Sequence, residues 1–329
     1  MYYKVGGDTL YWGKAEYAKT EKGALGGKLR RLYFGYDYAI SDKLSARVLM
    51  ESNASNVTGN GKFGFAVKLG MLEWKNAVPG IPGSTVRVGL IPTPVFAFPE
   101  KAWGYRSVEK EALDLRGFSQ SADQGVSFSG NFDAQGSSGF VLMVGNGDGN
   151  KPGSDKYLEY YGSVFKKFFD GALSLELMAN YKNFGNDISR TIVRGFLSVE
   201  RKHWRLGAEV SQSLLDQSFE GKGIVTTKPL LASVFFTNDL PFIGEHVRLF
   251  LRYDLFDPDT NYDPSLGYET SKNYDEHLFL AGLHFTPHPK VNIIPNLYVN
   301  VYEPKKDGIV ERKPDVVLRT TLYYRFGDK

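Results

Sequence analysis

Residues 316–326 read VVLRTTLYYRF, and two kinds of side chain alternate along this stretch. Successive side chains of a β-strand point to opposite faces. One face therefore carries Val316, Leu318, Thr320, Leu322, Tyr324 and Phe326. The other carries Val317, Arg319, Thr321, Tyr323 and Arg325. Such a strand suits a wall that separates an apolar environment from an aqueous one.

Two further stretches show the same pattern. In 246–257 the apolar positions alternate with Arg248, Arg252 and Asp254, and in 173–184 with Glu176 and Lys182. If the apolar face meets lipid, an arginine on that face at the middle of the bilayer would cost about 2–4 kcal/mol. The arginines are therefore predicted to face a lumen.

Alternation recurs about every 20 residues from end to end, which predicts one domain over 1–329 with sixteen strands. Tight turns such as 41–43 and 170–172 alternate with longer polar loops, as in outer-membrane barrels. The predicted fold is an all-β transmembrane antiparallel β-barrel. A soluble sandwich or propeller is the alternative, but no repeat of blade length is visible. The strands are expected near 3–17, 28–40, 44–53, 62–75, 84–91, 122–131, 138–146, 157–169, 173–184, 188–200, 204–215, 226–238, 246–257, 273–286, 291–302 and 315–326.

The composition is consistent with strands that are apolar on one face only. The chain has 329 residues, with 23 Phe, 20 Tyr and 36 Gly, and no stretch approaches the roughly 18–20 consecutive apolar residues of a membrane helix. It contains no cysteine, which is compatible with an oxidising compartment. A net charge of +3 gives no large basic face for nucleic acid.

Two stretches resemble a known family. The ending Leu322-Tyr323-Tyr324-Arg325-Phe326, followed by three more residues, is similar to the C-terminal signal of bacterial outer-membrane barrels. Residues 98–106 read FPEKAWGYR and residues 121–126 read SADQGV, and together they look like the phosphate-selective porin family. The resemblance implies a homotrimer in the bacterial outer membrane, whose third extracellular loop folds into the lumen.

The connection at 92–121 is the longest in the chain. A long connection without its own secondary structure is usually functional, and its aromatic residues need a surface on which to pack. We expect it to constrict the barrel, although a lid over the mouth or a trimer contact would also account for it. Its charges balance: Lys101, Arg106, Lys110 and Arg116 against Glu100, Glu109, Glu111 and Asp114. Arg106, Arg116 or both are predicted near the narrowest point, opposite Arg47 or Arg87.

Basic residues outnumber acidic ones on the assigned lumen faces, by eleven to six. Basic rings favour anions, so the sequence predicts passive diffusion of small hydrophilic solutes with a mild anion preference. A channel specific for phosphate or a sugar is the main alternative. The bases are Arg31, Arg47, Lys68, Arg87, Lys182, Arg194, Arg205, Arg248, Arg252, Arg319 and Arg325, and the acids are Asp37, Glu51, Glu176, Glu200, Glu209 and Asp254.

Catalytic and metal motifs are weak. The chain has no Gly-x-Ser-x-Gly and no His-Glu-x-x-His, so an outer-membrane enzyme is the less favoured reading and no cofactor is expected. Asp257, Asp259, Asn261 and Asp263 have the spacing of half a calcium loop. Tyr262 stands where that loop needs glycine, and no Glu follows at its twelfth position. A solvated polar loop is the alternative.

Overall fold

The computed structural model describes residues 1–10, 16–54, 56–153, 155–244, 246–267 and 270–327. Its eighteen strands form one antiparallel sheet, and the first strand pairs with the last. Two α-helices, α1 (Pro94–Trp103) and α2 (Ala112–Arg116), lie between β6 and β7. The strands are β1 (Tyr2–Gly6), β2 (Leu25–Gly26), β3 (Leu32–Ala39), β4 (Leu44–Ser52), β5 (Ala66–Lys75), β6 (Thr85–Pro92), β7 (Ala122–Asn131), β8 (Ser138–Gly145), β9 (Glu159–Phe168), β10 (Leu173–Gly185), β11 (Ile188–Glu200), β12 (Trp204–Phe219), β13 (Gly223–Thr227), β14 (Leu230–Asp239), β15 (Val247–Asp257), β16 (Tyr274–His288), β17 (Val291–Pro304) and β18 (Asp315–Tyr324).

The predicted fold class, an all-β antiparallel barrel, is confirmed, but the described residues form eighteen strand segments and not sixteen. One extra segment arises because β13 and β14 pair with successive parts of β12. Pro229 lies between them, and a proline has no N–H to give to the ladder. The other extra segment arises because 27–31 separates β2 from β3.

The first predicted strand, 3–17, is wrong in length, since β1 ends at Gly6. The cause is Lys4, a lysine with no exposed surface that pairs with Asp315 at 2.7 Å. Its ammonium also donates to the carbonyls of Asp8, Tyr17 and Thr20, at 3.0, 3.1 and 2.7 Å. These bonds hold 16–20 beside β1 and stop the strand.

The two faces of the wall differ as the alternation predicts. On β10, Leu177 is 64% exposed, whereas Glu176 is 3% exposed. On β18, Leu318 is 52% exposed and Arg319 is 6% exposed. Large apolar side chains thus point outward along the wall while charged ones point inward, an arrangement suited to lipid outside. Within the described residues, no helix is long and apolar enough to cross a membrane.

A closed ladder predicts resistance to detergent. We expect the folded protein, loaded in SDS without boiling, to migrate differently from a boiled sample, because the strand hydrogen bonds resist detergent until heated. Gel migration as a function of sample temperature measures this. Identical migration of heated and unheated samples would contradict a closed transmembrane barrel.

Candidate pore and its constriction loop

Residues 93–121, here called the constriction loop, pack inside the sheet. Helix α1 starts with Pro94 in its first turn and ends at Gly104, whose φ of 71° is the left-handed conformation that glycine adopts readily. The ring of Phe98 lies 5.5 Å from that of Phe165, and Trp103 lies 5.3 Å from Phe235. Both partners are lumen-facing wall residues, so the loop covers the inner surface of β9 to β14. The sequence suggests a connection without secondary structure of its own, and this is wrong, because the loop contains α1 and α2.

Wall arginines hold the backbone of this loop. Each uses its guanidinium to donate to a main-chain carbonyl, so these bonds hold the loop by its main chain. The pairs are Arg194 with Val95, Arg205 with Ala102 at 2.7 Å, Arg31 with Arg106 at 2.9 Å, Arg30 with Ser107 at 3.2 Å, and Arg252 with Lys110 at 2.6 Å. Alternation in the sequence predicts four of these arginines, all except Arg30, as lumen charges.

Glu109 anchors the loop on the far side of the lumen. Its side chain is 1% exposed, and it pairs with Arg30 and, at 3.3 Å, with Arg319. Its carbonyl also accepts a hydrogen bond from Trp103 Nε1 at 3.0 Å. Burial opposes ionisation of Glu109, but Arg30 and Arg319 outweigh it and lower the pKa of this carboxyl. The loop therefore spans the lumen, from β9–β12 to Arg319 on β18 and Arg30 beside the start of β3.

Arg116 and Glu111 face the wall. The guanidinium of Arg116 is 1% exposed, pairs with Glu276 at 2.6 Å and lies 5.3 Å from the ring of Phe256. The carboxylate of Glu111 accepts from the backbone N–H of Asp114 at 3.0 Å and so caps α2. The structure thus buries Arg116 between α2 and the wall, whereas Arg106 is part-exposed.

Four loop residues form the loop ion-pair group: Glu100, Arg106 and Lys110, which are part-exposed, and Asp114, which is 7% exposed. Arg106 pairs with Glu100 and, at 2.8 Å, with Asp114, which also pairs with Lys110 at 3.0 Å. The side chains of Arg106 and Lys110 are 21% and 39% exposed. Lys101 is also exposed, one turn from the group.

The carboxyls of this group titrate differently. Burial raises the pKa of Glu100, although the guanidinium of Arg106 favours its ionised form. Burial opposes ionisation of Asp114 too, but Lys110 and Arg106 together hold its pKa below the usual range. Acid should therefore neutralise Glu100 first.

A wall ion-pair group of Arg31, Glu51 and Lys68 meets this part of the loop. Glu51 lies 3.5 Å from Arg31 and 3.7 Å from Lys68, and Tyr33 donates to it at 3.3 Å. Lys68 also donates to the hydroxyl of Ser121 at 2.5 Å. Since Arg31 binds the carbonyl of Arg106, the two groups form one connected set across the gap between loop and wall.

Four further bases that the sequence predicts on the wall are paired with acids. Arg47 lies 3.6 Å from Asp37, and Arg87 lies 2.6 Å from Glu73. These two pairs lie on β3 to β6, nearer the short turns than the wall ion-pair group. Arg248 pairs with Asp239 at 2.6 Å and remains 43% exposed. Arg252 pairs with Asp254 at 2.6 Å and is 2% exposed, because the loop covers it.

Sequence reasoning missed Arg30 and Glu16. Arg30 lies in the break between β2 and β3, where alternation no longer predicts direction, and Glu16 lies beyond the end of β1. Glu16 pairs with Lys28 at 3.0 Å, Arg30 at 3.2 Å and Arg319 at 3.5 Å. The sequence shows that both residues are charged, but no pattern in it predicts where their side chains lie.

The candidate calcium residues are engaged elsewhere. Asp257 pairs with Lys305 at 2.6 Å, and Asp259 accepts from the backbone N–H of Lys228 at 2.8 Å. Asp263 accepts from the N–H of Ser265, at the start of a 3₁₀ turn. Asn261 donates its own N–H to Asp259 at 3.1 Å. In the described ranges no three His, Cys, Asp or Glu side chains are placed to share a metal ion.

Solved structures with a similar fold are bacterial outer-membrane proteins. The outer membrane channel DcaP of Acinetobacter baumannii matches with a TM-score of 0.67 at 12% identity, over 98% of this chain and 94% of its own. A loop-deletion mutant of OmpT of Vibrio cholerae matches with a TM-score of 0.62 at 13% identity, over 93% and 94%. An anion-selective porin from Comamonas acidovorans matches with a TM-score of 0.59 at 14% identity, over 89% and 88%. The chain has the fold of these barrels.

At the level of sequence, the chain matches none of the protein-family models and none of the curated proteins with which it was compared.

Proposed function

We infer that this protein is a passive porin of the bacterial outer membrane, through which small hydrophilic solutes diffuse past the constriction loop. The observation that carries the proposal is the connected set of ion pairs between loop and wall, which leaves charged, part-exposed side chains at the loop's free face. The outward apolar side chains support a lipid surround. The porin fold supports a channel and not an enzyme.

Charges beside the opening support only a mild anion preference. Six bases and five acids form the loop ion-pair group, the wall ion-pair group and the two pairs on β3 to β6, while the loop covers Arg252 and Arg319. In water two unit charges at 4 Å interact by about 1 kcal/mol, and salt screens them further. The bases are Arg31, Arg47, Lys68, Arg87, Arg106 and Lys110, and the acids are Asp37, Glu51, Glu73, Glu100 and Asp114.

Reversal potentials in planar bilayers under a salt gradient test this proposal. We expect weak anion selectivity in the wild type, and a shift toward cations in Arg106→Ala of at most roughly fivefold, since about 1.4 kcal/mol is a factor of ten. Lys202→Ala is the matched control, because Lys202 lies in the exposed turn between β11 and β12. A cation-selective wild type would refute the anion preference, and the absence of any conductance would refute the channel.

Acid should strengthen the anion preference. Because the pKa of Glu100 is raised, this carboxyl loses its charge first as the pH falls, while Asp114 stays ionised and Arg106 stays positive. The anion-to-cation permeability ratio should therefore rise as the pH falls through the range in which Glu100 becomes protonated. Glu100→Gln should have the higher ratio already at neutral pH and should lack this step. An unchanged pH profile in Glu100→Gln would assign the titration to another group.

The resemblance to phosphate-selective porins stays a hypothesis about solute. A phosphate site would make ion current block saturably at low phosphate concentration, whereas a general pore would respond only to ionic strength. Trimeric assembly is likewise proposed, with support from the trimer form of OmpT, whose fold is similar. Native mass spectrometry of the detergent-extracted protein would show the number of subunits.

A further inference from the structure

A groove, here called the outer groove, crosses the lipid-facing side of the wall at β9 to β12. Its volume is about 540 Å³, within the range of roughly 300–1,000 Å³ that is typical of small-molecule sites. The floor is low because Gly195 on β11 and Ala208 on β12 point outward, among larger side chains. Leu177 and Val210, which are 64% and 55% exposed, flank Gly195 on its two sides. The shape therefore suits an extended apolar chain.

An ion pair lies at the β9 end of the outer groove. Lys166 belongs to the lining and points outward beside Leu175. Its ammonium lies 4.0 Å from the carboxylate of Asp133, in the turn between β7 and β8, and donates to the hydroxyl of Ser137 at 2.9 Å. The side chains of Lys166 and Asp133 are 45% and 25% exposed, so both charges are accessible from outside the barrel.

The carboxylate of Asp133 is held in its charged form by its own turn. The hydroxyls of Ser138 and Ser137 donate to it at 2.5 and 2.9 Å, and the backbone N–H of Ser137 donates at 2.8 Å. These hydrogen bonds, first of all that of Ser138, lower the pKa of Asp133 well below its usual range. The turn therefore presents a fixed negative charge beside the positive charge of Lys166.

Aromatic side chains place the ion pair at the membrane surface. Phe132, Phe168 and Phe169 lie at the ends of β7 and β9 and are 64%, 40% and 75% exposed. Girdles of aromatic residues mark the two interfaces of a membrane barrel, and its short turns lie on the periplasmic side. Gly195 lies one row of residues farther from these turns than Lys166. The groove therefore leads from the headgroups of the periplasmic leaflet toward its acyl chains.

We propose that the outer groove binds one phospholipid with a zwitterionic, primary-amine headgroup, of which phosphatidylethanolamine is the simplest. The phosphate accepts a hydrogen bond from Lys166, the ammonium donates to Asp133, and one acyl chain lies over Gly195 and Ala208. Both hydrogen bonds are between charged groups, which makes them stronger than neutral ones. An anionic headgroup without an amine is attracted by Lys166 but repelled by Asp133, and a quaternary ammonium has no N–H to donate.

A second groove on the outer face shows what the ion pair adds. It has a volume of about 330 Å³ and crosses β14 to β17. Among its described lining residues the one charged side chain is Arg252, which pairs with Asp254 on the lumen side. This groove offers contact to an acyl chain without recognition of a headgroup. Its Ala281 is therefore the matched control position for Gly195.

Native mass spectrometry of the detergent-purified protein, titrated with phospholipids of identical acyl chains, tests the proposal. We expect one phosphatidylethanolamine to bind per chain, roughly tenfold more tightly than phosphatidylglycerol or phosphatidylcholine, a factor that corresponds to about 1.4 kcal/mol. Lys166→Ala and Asp133→Asn should each abolish this preference. Lys43→Ala, in the exposed turn between β3 and β4, should retain it.

Filling the groove tests the place of the acyl chain. Gly195→Leu should weaken the binding of all three lipids, whereas Ala281→Leu should leave it unchanged. A Cβ at Gly195 would meet the side chain of Leu177 at 3.8 Å, an ordinary contact, so the wall accepts the substitution. None of these positions lies in the lumen, and wild-type conductance in each variant verifies an intact barrel.

Three results would overturn the proposal. Equal affinity of the wild type for the three lipids would remove headgroup recognition. A retained preference for phosphatidylethanolamine in both Lys166→Ala and Asp133→Asn would place that recognition elsewhere. A changed number of subunits in Gly195→Leu, with lipid binding as in the wild type, would make the outer groove a contact between copies of this chain.

Discussion

Replacing residues 93–121 by Asn-Gly should raise single-channel conductance severalfold. Pro92 and Ala122 are paired neighbours at the ends of β6 and β7, so a two-residue turn can join them without disturbing the ladder. The replacement removes both helices from the lumen, and the path that remains is limited by the wall alone. Conductance of single channels in a planar bilayer measures the effect.

The same variant should become more anion-selective. Without the loop, Arg194, Arg205 and Arg252 lose their carbonyl partners and face the water-filled lumen. Shortening the rim loop between β17 and β18 is the control, and it should leave both conductance and reversal potential nearly unchanged. If the 93–121 replacement conducts like the wild type, solutes do not pass the constriction loop.

Replacement of Glu109, the buried anchor of the constriction loop, should have a large effect on the position of the loop. In Glu109→Ala, Arg319, whose side chain is 4% exposed in the wild type, loses a carboxylate partner at 3.3 Å. Breaking a buried ion pair by removing one partner costs about 3–5 kcal/mol. We expect the loop to detach from Arg30 and Arg319, because water can then reach the unpaired arginines, while the wall stays folded. Single-channel currents should therefore become larger and noisier.

Thermal unfolding and current noise, measured on the same preparation, distinguish this outcome from general damage. Glu303→Ala is the control, because the side chain of Glu303 is 67% exposed where it meets His277 at 3.0 Å, and exposed pairs contribute only about 0–1 kcal/mol. Glu109→Gln, which keeps a hydrogen-bonding side chain of the same size, should fall between the wild type and Glu109→Ala. Quiet, wild-type currents in Glu109→Ala would show that the loop does not depend on this anchor.

Alternation predicted most of the wall because lipid and water impose opposite demands on neighbouring residues. The predicted strands at 122–131 and 188–200 coincide with β7 and β11. The strand predictions fail where another interaction overrides the two-residue alternation. Lys4 ends β1 by binding carbonyls across a turn, and Pro229 interrupts the pairing along β12.

The candidate site was harder to predict, because a loop has no fixed period. Arg106 and Arg116 lie in the same connection and carry the same charge, yet Arg106 faces the opening and Arg116 is buried against Glu276. Counting lumen bases also overestimates the charge available to solutes. Arg194 and Arg252 lie on the predicted face, but each gives its hydrogen bonds to the loop and to a wall carboxylate.

Because the wall arginines bind carbonyl oxygens, which every amino acid supplies, they place little demand on the identity of the loop residues they hold. Ala102, Ser107 and Lys110 could each be exchanged without loss of the bond that fixes them. The side chains that line the opening can therefore be substituted during evolution while the path of the loop is retained. Among descendants of this chain, permeability should change faster than architecture, and the arginines of the wall should be the slower part to diverge.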